Sequence, residues 1–252
     1  MFLRQISQLS FLSLLILIAV LLPAAAQDTP KKTNPHERWE PTIKAFEKLD
    51  KETSSRKGGV LFVGSSSIRL WKLDESFPDF GAINRGFGGS EIADSTYFAK
   101  RIILKHEPRQ IFLYAGDNDI ARGKSAETVT DDFRKFVQVV RKDLPQTRLV
   151  FIAIKPSIKR WALADENAKA NAAILEICQQ DDLLDYADIW KPMLGEDGQP
   201  RPELFAKDGL HLNGKGYELW TSIVKPLIKP VEKQGNATPQ VCAVAADRAT
   251  EI

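Results

Sequence analysis

Short apolar runs alternate with longer segments of helical spacing along most of this chain, and this alternation limits the possible folds more than any other feature of the sequence. Five of the runs are short and apolar enough to form strands, and they cover residues 60–63, 81–84, 110–115, 149–154 and 183–189. The first is a continuous run of β-branched and aromatic residues with one leucine, which suits a strand buried on both faces. Segments with helical spacing of apolar side chains precede and separate them, at 39–49, 91–104, 126–142, 165–180 and 214–228. Strands that alternate with helices are typical of a parallel sheet with helices on both faces. The sequence therefore predicts an α/β fold of three layers, with about five parallel strands.

A run of serines follows the first predicted strand. The apolar residues 60–63 stop at Gly64, and the chain passes through Ser65, Ser66 and Ser67 into the start of a short helix. Such a turn exposes a small hydroxyl residue beside the free backbone N–H groups of a helix start, which suits a nucleophile. On local sequence alone, the alternative that the serines only cap the helix stays open.

Three further polar blocks fall at predicted strand ends or before the last helix, and these positions share one edge of a parallel sheet. They are NRGFGG at 84–89, GDND at 116–119 and DGLH at 208–211. The glycine block lacks the G-x-G-x-x-G spacing of a dinucleotide site. In the last block a single turn lets the Asp208 carboxylate accept from the His211 imidazole, which can then take a proton from a serine. The alternative is a loop aspartate beside a helix-capping histidine.

Together with the serine turn, these blocks resemble those of the SGNH, or GDSL-type, serine hydrolases, in the same order and over about residues 58–228. The resemblance implies the flavodoxin-like fold of that family and a serine esterase or acylhydrolase activity without a cofactor. It places the nucleophile on Ser66, the third position of the family's glycine-aspartate-serine motif. Ser65 stands where the family has aspartate, which is a departure at a supporting residue. Ser65 or Ser67 remains an alternative nucleophile.

The resemblance also implies the other roles in the site. It assigns Asp208 and His211 to a catalytic triad with Ser66. It assigns the oxyanion hole to the backbone N–H groups of Ser66 and Gly89 and to the side-chain amide of Asn118, because a neutral amide donates to an oxyanion without repelling it. We expect glycine at position 89 because a side chain would crowd the approaching oxygen. Two ligands without a third cluster make a poor metal site, so we expect no metal.

The substrate is less constrained than the site. We expect Arg85, Trp161 and the long loop before Asp208 to line the pocket, although each could instead have an ordinary structural role. Family members include acetylesterases acting on polysaccharides, lipid acylhydrolases and thioesterases. The sequence shows no inserted lid, which favours a short acyl group, such as acetyl, on a small-molecule or saccharide ester. The alternative from another class is a non-catalytic envelope or carbohydrate-binding protein on the same fold.

The chain divides into four predicted segments. Residues 1–26 have the positive start, the apolar stretch and the small residues of a secretory signal, with cleavage after Ala26 and a secreted or periplasmic product. An uncleaved anchor is the alternative. A leader and helix follow at 27–57, then the hydrolase core at 58–230 and a C-terminal tail at 231–252. The formal net charge of +2 predicts no nucleic-acid partner, and no membrane partner once the signal is removed.

The remaining histidines and the two cysteines have plain interpretations. We interpret His36 as a solvated residue and His106 as a surface residue at a helix end. Cys178 lies in a helical pattern and Cys242 in the tail. An exported protein could pair them, and two free cysteines with one buried is the simpler alternative. The sequence leaves the oligomeric state open.

Overall fold

The computed structural model describes residues 34–53 and 57–230. The predicted signal sequence at 1–26, the first part of the leader, the tail at 231–252 and Cys242 lie outside the described residues. The segment boundaries proposed from the sequence therefore stay predictions.

The five predicted strands form one sheet, in the order β2-β1-β3-β4-β5, and all neighbouring pairs are parallel. This is the flavodoxin-like order, so the predicted fold class is confirmed. The strands are β1 (Val60–Gly64), β2 (Ile83–Gly86), β3 (Gln110–Tyr114), β4 (Arg148–Ile152) and β5 (Leu184–Ala187). Gly64 pairs with Gly86 on one side and with Tyr114 on the other. The carboxyl ends of the three strands β2, β1 and β3 are therefore level with one another.

Nine α-helices of the described chain surround the sheet. They are α1 (Glu40–Glu52), α2 (Ser66–Arg69), α3 (Leu73–Ser76), α4 (Ile92–Tyr97), α5 (Ala99–Ile102), α6 (Asp117–Ala121), α7 (Ala126–Asp143), α8 (Ala164–Cys178) and α9 (Gly214–Val224). Two of the predicted helices differ from the observed ones. The helix predicted at 91–104 breaks at Phe98, whose backbone angles of φ −90° and ψ 2° end α4 and precede α5. The last helix ends at Val224 because Pro226 has no N–H to continue it.

Alternate residues of each strand pack into two separate cores, as the two-residue period of a strand requires. Leu61 and Leu113 face the core that is covered by α1, α4, α5, α7 and α8. Phe62 and Tyr114 face the other core, under α2, α3 and α9. In that second core the ring of Phe62 stacks on Phe112, with ring centroids 4.6 Å apart. The helices α2 and α9 therefore lie on the same face of the sheet.

Gly64 ends β1 in a conformation that only glycine tolerates. Its φ is +134°, and a Cβ added there would lie 1.9 Å from the carbonyl oxygen of Tyr114. Because that oxygen belongs to the backbone of the neighbouring strand, it cannot move aside. The glycine thus lets the chain leave the sheet edge directly into α2.

Both histidine interpretations of the sequence are wrong. His106 is fully buried, and its Nε2 lies 3.3 Å from Nη2 of Arg85. His36 contacts Asp94 through Nδ1 at 2.6 Å and stacks on Tyr97. The partners of these two rings come from distant parts of the chain, so local sequence gives no sign of them.

Two other predictions concern cysteine and the membrane. Cys178 is a buried free thiol, which matches the simpler of the two alternatives. No helix among residues 34–53 and 57–230 is long and apolar enough to cross a bilayer.

Candidate active site

Ser66 is the first residue of α2 and the most exposed of the three serines that follow β1. Ser65 and Ser67 are buried, whereas Ser66 is partly exposed. Ser65 occupies the N-cap position of α2, yet its side chain makes no capping hydrogen bond. The alternative that this serine caps the helix is therefore wrong. The turn instead presents Ser66 at the carboxyl edge of the sheet.

The structure brings Ser66, His211 and Asp208 into one chain of contacts. Nε2 of His211 lies 3.1 Å from Oγ of Ser66, and Nδ1 of His211 lies 2.5 Å from Oδ2 of Asp208. A carboxylate can only accept, so Nδ1 of the imidazole carries a hydrogen and Nε2 is left to accept from the serine hydroxyl. This is the tautomer that a general base needs in order to take the proton of Ser66.

Asp208 is held in place by the turn in which it lies. Its Oδ1 accepts from the backbone N–H groups of Leu210 at 3.0 Å and His211 at 2.9 Å. The hydrogen bond from the His211 side chain and these two backbone N–H groups hold the pKa of Asp208 well below its usual value. The carboxylate is therefore ionised and able to stabilise a positive charge on the imidazole.

The loop that carries His211 is anchored to its surroundings. The Ala206 N–H donates to the His211 carbonyl at 2.8 Å, and the Lys159 N–H donates to the Gly209 carbonyl at 3.0 Å. Asn213 caps α9 by accepting from the Gly216 N–H at 3.2 Å. The imidazole is thus presented from a loop that is fixed at both ends.

Three hydrogen-bond donors lie around the same edge. Among the described residues, the backbone N–H groups of Ser66 and Gly89 have no acceptor. Nδ2 of Asn118, in α6, donates one of its two hydrogens to the Ser90 carbonyl at 3.0 Å, so the other remains available. That bond joins the loop after β2 to α6. The Phe87 N–H, which donates to the Gly64 carbonyl at 2.8 Å, joins the same loop to β1.

Gly89 has a backbone conformation that favours glycine whatever the substrate requires. Its φ is +78°, a conformation that side-chain-bearing residues rarely adopt. A Cβ added there would lie 3.5 Å from the ring of Trp39 and 3.8 Å from the guanidinium of Arg122. The left-handed backbone is therefore a reason for glycine that the sequence did not show, and the expectation that a side chain would crowd the substrate oxygen stays a prediction. Arg122 also donates to the Gly89 carbonyl at 3.0 Å and fixes the turn.

A buried ionic network lies behind Asn118, and the sequence analysis missed it. Lys155, which is 2% exposed, donates from Nζ to Oδ2 of Asp117 at 2.8 Å and to the Tyr114 hydroxyl at 3.0 Å. Arg160 forms an ion pair with Asp117 through Oδ1 and donates to Oδ1 of Asn118 at 3.2 Å. The sequence does contain a sign of this network. Lys155 and Arg160 follow β4, and the polar block at 116–119 follows the neighbouring strand β3, so these residues lie at the same edge of the sheet.

The opposite charges in this network keep Asp117 and Lys155 ionised despite their burial. Burial opposes ionisation of Asp117, but Lys155 and Arg160 outweigh it and hold the pKa of that carboxyl below its usual value. Burial also opposes the charge on Lys155, but the neighbouring Asp117 carboxylate raises the pKa of the ammonium above its usual value. Both residues are therefore charged, although both are almost fully buried.

The two residues expected to bind substrate have different positions. The guanidinium of Arg85 is buried on the opposite face of β2, where it pairs with Asp50 and lies over the ring of Phe46. The prediction that Arg85 lines the pocket is therefore wrong, and its neighbour Asn84 is the residue that faces α2. Trp161 is partly exposed and stacks on Trp190, with ring centroids 6.2 Å apart.

Two further observations describe the surroundings of the site. A groove of about 990 Å³ runs between the α2–α3 segment and α9, and its walls include Leu70, Trp71, Leu212 and Tyr217. Within the described residues, no group of three or more His, Cys, Asp or Glu side chains could hold a metal ion.

Comparison with known proteins gives consistent results. The family model described as the GDSL-like Lipase/Acylhydrolase family matches residues 68–219. The Bos taurus platelet-activating factor acetylhydrolase IB subunit alpha1 is 25% identical over 175 residues, which are 66% of this chain and 73% of that protein. The Bos taurus isoamyl acetate-hydrolyzing esterase 1 homolog is 27% identical over 185 residues, covering 62% of this chain and 71% of that protein. A GDSL-like lipase structure from Bacteroides thetaiotaomicron has a TM-score of 0.61 at 19% identity, covering 77% of this chain and 96% of that one.

Proposed function

Because the chain belongs to the GDSL-like lipase/acylhydrolase family, we propose that it is a serine esterase that hydrolyses a carboxylic ester through an acyl-enzyme intermediate. The contact of Ser66 with His211, and of His211 with Asp208, is the observation that carries the proposal. A partly exposed hydroxyl next to an oriented imidazole is the arrangement that activates serine for attack.

In the first half of the reaction, Oγ of Ser66 attacks the carbonyl carbon of the ester while its proton passes to Nε2 of His211. The Asp208 carboxylate stabilises the imidazolium that forms. When the tetrahedral intermediate collapses, the bond to the alcohol oxygen breaks and His211 returns the proton to the leaving alcohol. In the second half, a water molecule attacks the acyl-enzyme with His211 as base, and the acid leaves as Ser66 regains its proton.

Negative charge develops on the carbonyl oxygen in both halves. The backbone N–H groups of Ser66 and Gly89 and the free hydrogen on Nδ2 of Asn118 are the donors assigned to this oxygen. Preorganised donors of this kind are the largest single contribution in many acyl transfers, and each is worth about a hundred- to a thousandfold in turnover. The site as a whole therefore suits acyl transfer.

A short acyl group, such as acetyl, is the proposed preference. The names of the two relatives support it, since one is an acetylhydrolase and the other an acetate-hydrolyzing esterase. A carbohydrate alcohol is proposed because Trp161 and Trp190 present partly exposed indoles, on which sugar rings pack, next to the residue that contacts Asn118. Secretion or export to the periplasm is proposed from residues 1–26 alone.

The proposal is tested with the purified protein and 4-nitrophenyl esters of acetate, butyrate and octanoate. We expect kcat/KM to fall from acetate to octanoate. We expect Ser66→Ala to abolish turnover, whereas the matched variant Ser67→Ala should stay active because the Ser67 hydroxyl is buried without a partner. Undiminished turnover in Ser66→Ala would exclude Ser66 as the nucleophile.

A fluorophosphonate probe separates an enzyme from a non-catalytic protein of the same fold. We expect the probe to label the wild-type protein and Ser67→Ala but not Ser66→Ala. A wild-type protein that is neither labelled nor active on any ester would support the envelope or carbohydrate-binding alternative. Release of acetate from a panel of acetylated sugars then tests the proposed alcohol.

A further inference from the structure

We propose that Arg160 is a positioning residue of the oxyanion hole, which fixes the orientation of the Asn118 amide and supplies positive charge behind it. This inference rests on the proposed function, since it assigns a role within the same site. The sequence blocks that resemble other hydrolases contain neither Arg160 nor Lys155, the other cation that pairs with Asp117, so the role comes from the contacts in the structure.

The contacts of Asn118 leave its carboxamide with one orientation. Oδ1 accepts from Nη1 of Arg160 at 3.2 Å, and Nδ2 donates to the Ser90 carbonyl at 3.0 Å. If the amide flipped, its NH₂ would face the guanidinium and its oxygen would face a carbonyl, so that neither group would find a partner. Arg160 therefore ensures that a hydrogen, and not an oxygen, is directed toward the substrate.

Arg160 is itself held by a chain of contacts that reaches into the sheet. It pairs with Oδ1 of Asp117 and donates to the Asp117 carbonyl at 3.2 Å. Oδ2 of Asp117 accepts from Lys155 at 2.8 Å, and Lys155 is tied to the hydroxyl of Tyr114 in β3. Asp117, Lys155 and Tyr114 are all buried. The strand β3, the start of α6 and the segment after β4 thus set the position of Arg160.

The charges of this cluster also favour an oxyanion. Lys155 and Arg160 carry two positive charges, and Asp117 carries one negative charge. Among the described residues, no second carboxylate pairs with either cation, so the cluster is left with a net positive charge directly behind Asn118. Fixed charge in a site of low polarity stabilises charge that develops in the transition state.

The first test compares kcat and KM for 4-nitrophenyl acetate in the wild type, Arg160→Ala and Arg160→Met, of which the second keeps most of the side-chain volume. We expect kcat to fall by about 10- to 100-fold in both variants, with KM changed by less than about threefold. Arg160→Lys should recover part of the lost kcat because it keeps the charge. The matched control is Arg134→Ala, an exposed arginine on α7 that pairs only with Asp131 among described residues, and it should equal the wild type.

A double-variant comparison distinguishes positioning from a general structural role. If Arg160 acts through Asn118, Arg160→Ala should lower kcat by less than about threefold in a protein that already carries Asn118→Ala. A loss as large as that seen in the wild-type background would overturn the inference. Arg160→Ala and Arg160→Met variants that keep wild-type kcat would overturn it as well.

Labelling of Ser66 by a fluorophosphonate separates failure of this inference from failure of the proposed function. The probe needs the nucleophile and the oxyanion donors but no knowledge of the substrate. A wild-type protein that is not labelled contradicts the proposed function. A wild-type protein that is labelled at the same rate as a folded Arg160→Met variant, with equal thermal midpoints, contradicts only the role of Arg160.

Discussion

Nε2 of His211 lies 3.1 Å from Oγ of Ser66, although the two residues are 145 positions apart in the chain. Ser66 begins α2 at the end of β1, and His211 lies in the loop before α9. Because α2 and α9 cover the same face of the sheet, the parallel order of the strands brings the two residues together. The contact is a consequence of the fold, and the chemistry proposed here depends on it.

Asp208→Asn should lower kcat by about 10²- to 10⁴-fold while the protein stays folded. An amide NH₂ would donate to Nδ1 of His211, which would place the imidazole hydrogen on Nε2 and leave it unable to accept the Ser66 proton. Steady-state kinetics with 4-nitrophenyl acetate measures the effect, and Asp165→Asn, an exposed aspartate at the start of α8, is the matched control. A kcat within threefold of wild type would show that Asp208 does not orient the base.

Asn118→Ala should lower kcat by about 10²- to 10³-fold, with a much smaller change in KM, because it removes a donor that acts in the transition state. Asn118→Asp should also lose activity, since a carboxylate has no N–H and repels the oxyanion. Thermal unfolding of each variant provides the control for folding. Normal activity in Asn118→Ala would remove this residue from the site.

Gly64→Ala should destabilise the protein by more than about 3 kcal/mol or prevent it from folding, because the new Cβ would collide with the backbone of β3. Gly123→Ala is a matched comparison, since Gly123 also has a positive φ, +91°, but has open space around its Cα. We expect Gly123→Ala to lose only about 1 kcal/mol. Urea unfolding measures both, and equal losses would contradict the assignment of the collision to Gly64.

Acid should destabilise the folded protein through His106. Burial, Arg85 and Lys105, opposed by Asp50, lower the pKa of His106 to about 4. Between that value and the ordinary histidine pKa of about 6.5, the unfolded chain binds a proton that the folded chain does not, so stability falls as pH falls. The free energy of unfolding should therefore drop by about 2 kcal/mol from this group between about pH 7.5 and about pH 5.

The comparison with His106→Phe isolates this contribution, because all other titrating groups are shared. Urea unfolding at the two pH values should show a smaller loss for the variant than for the wild type. An equal loss would show that His106 does not carry the pH dependence.

Much of the candidate site could be predicted from the sequence because its residues lie in local patterns. Glycine and serine directly after a buried run mark the end of a strand, and parallel strands end at one edge. These patterns predict that Ser66, Asn118 and the block that holds His211 lie on the same edge. The assignment of Ser66 over its neighbours came from the resemblance, and the structure adds that Ser65 and Ser67 are buried.

The misplaced residues share a different property, which is that their partners are distant in the chain. Arg85 lies next to a glycine block, which led to its prediction as a site residue. Successive side chains of a strand point to opposite faces of the sheet, and the guanidinium of Arg85 pairs with Asp50 of α1. His106 is buried against that same pair. A local sequence pattern does not show which distant residue will pair with a buried polar side chain.

The sequence by itself thus determined the order of the elements, the sheet edge and the residue types available for acyl transfer, because periodicity and turn chemistry are properties of neighbouring residues. The tertiary structure decided which polar groups meet. Arg160 contacts Asn118 across 42 positions and Lys155 contacts Asp117 across 38, and such pairs exist only after the strands have taken their order in the sheet.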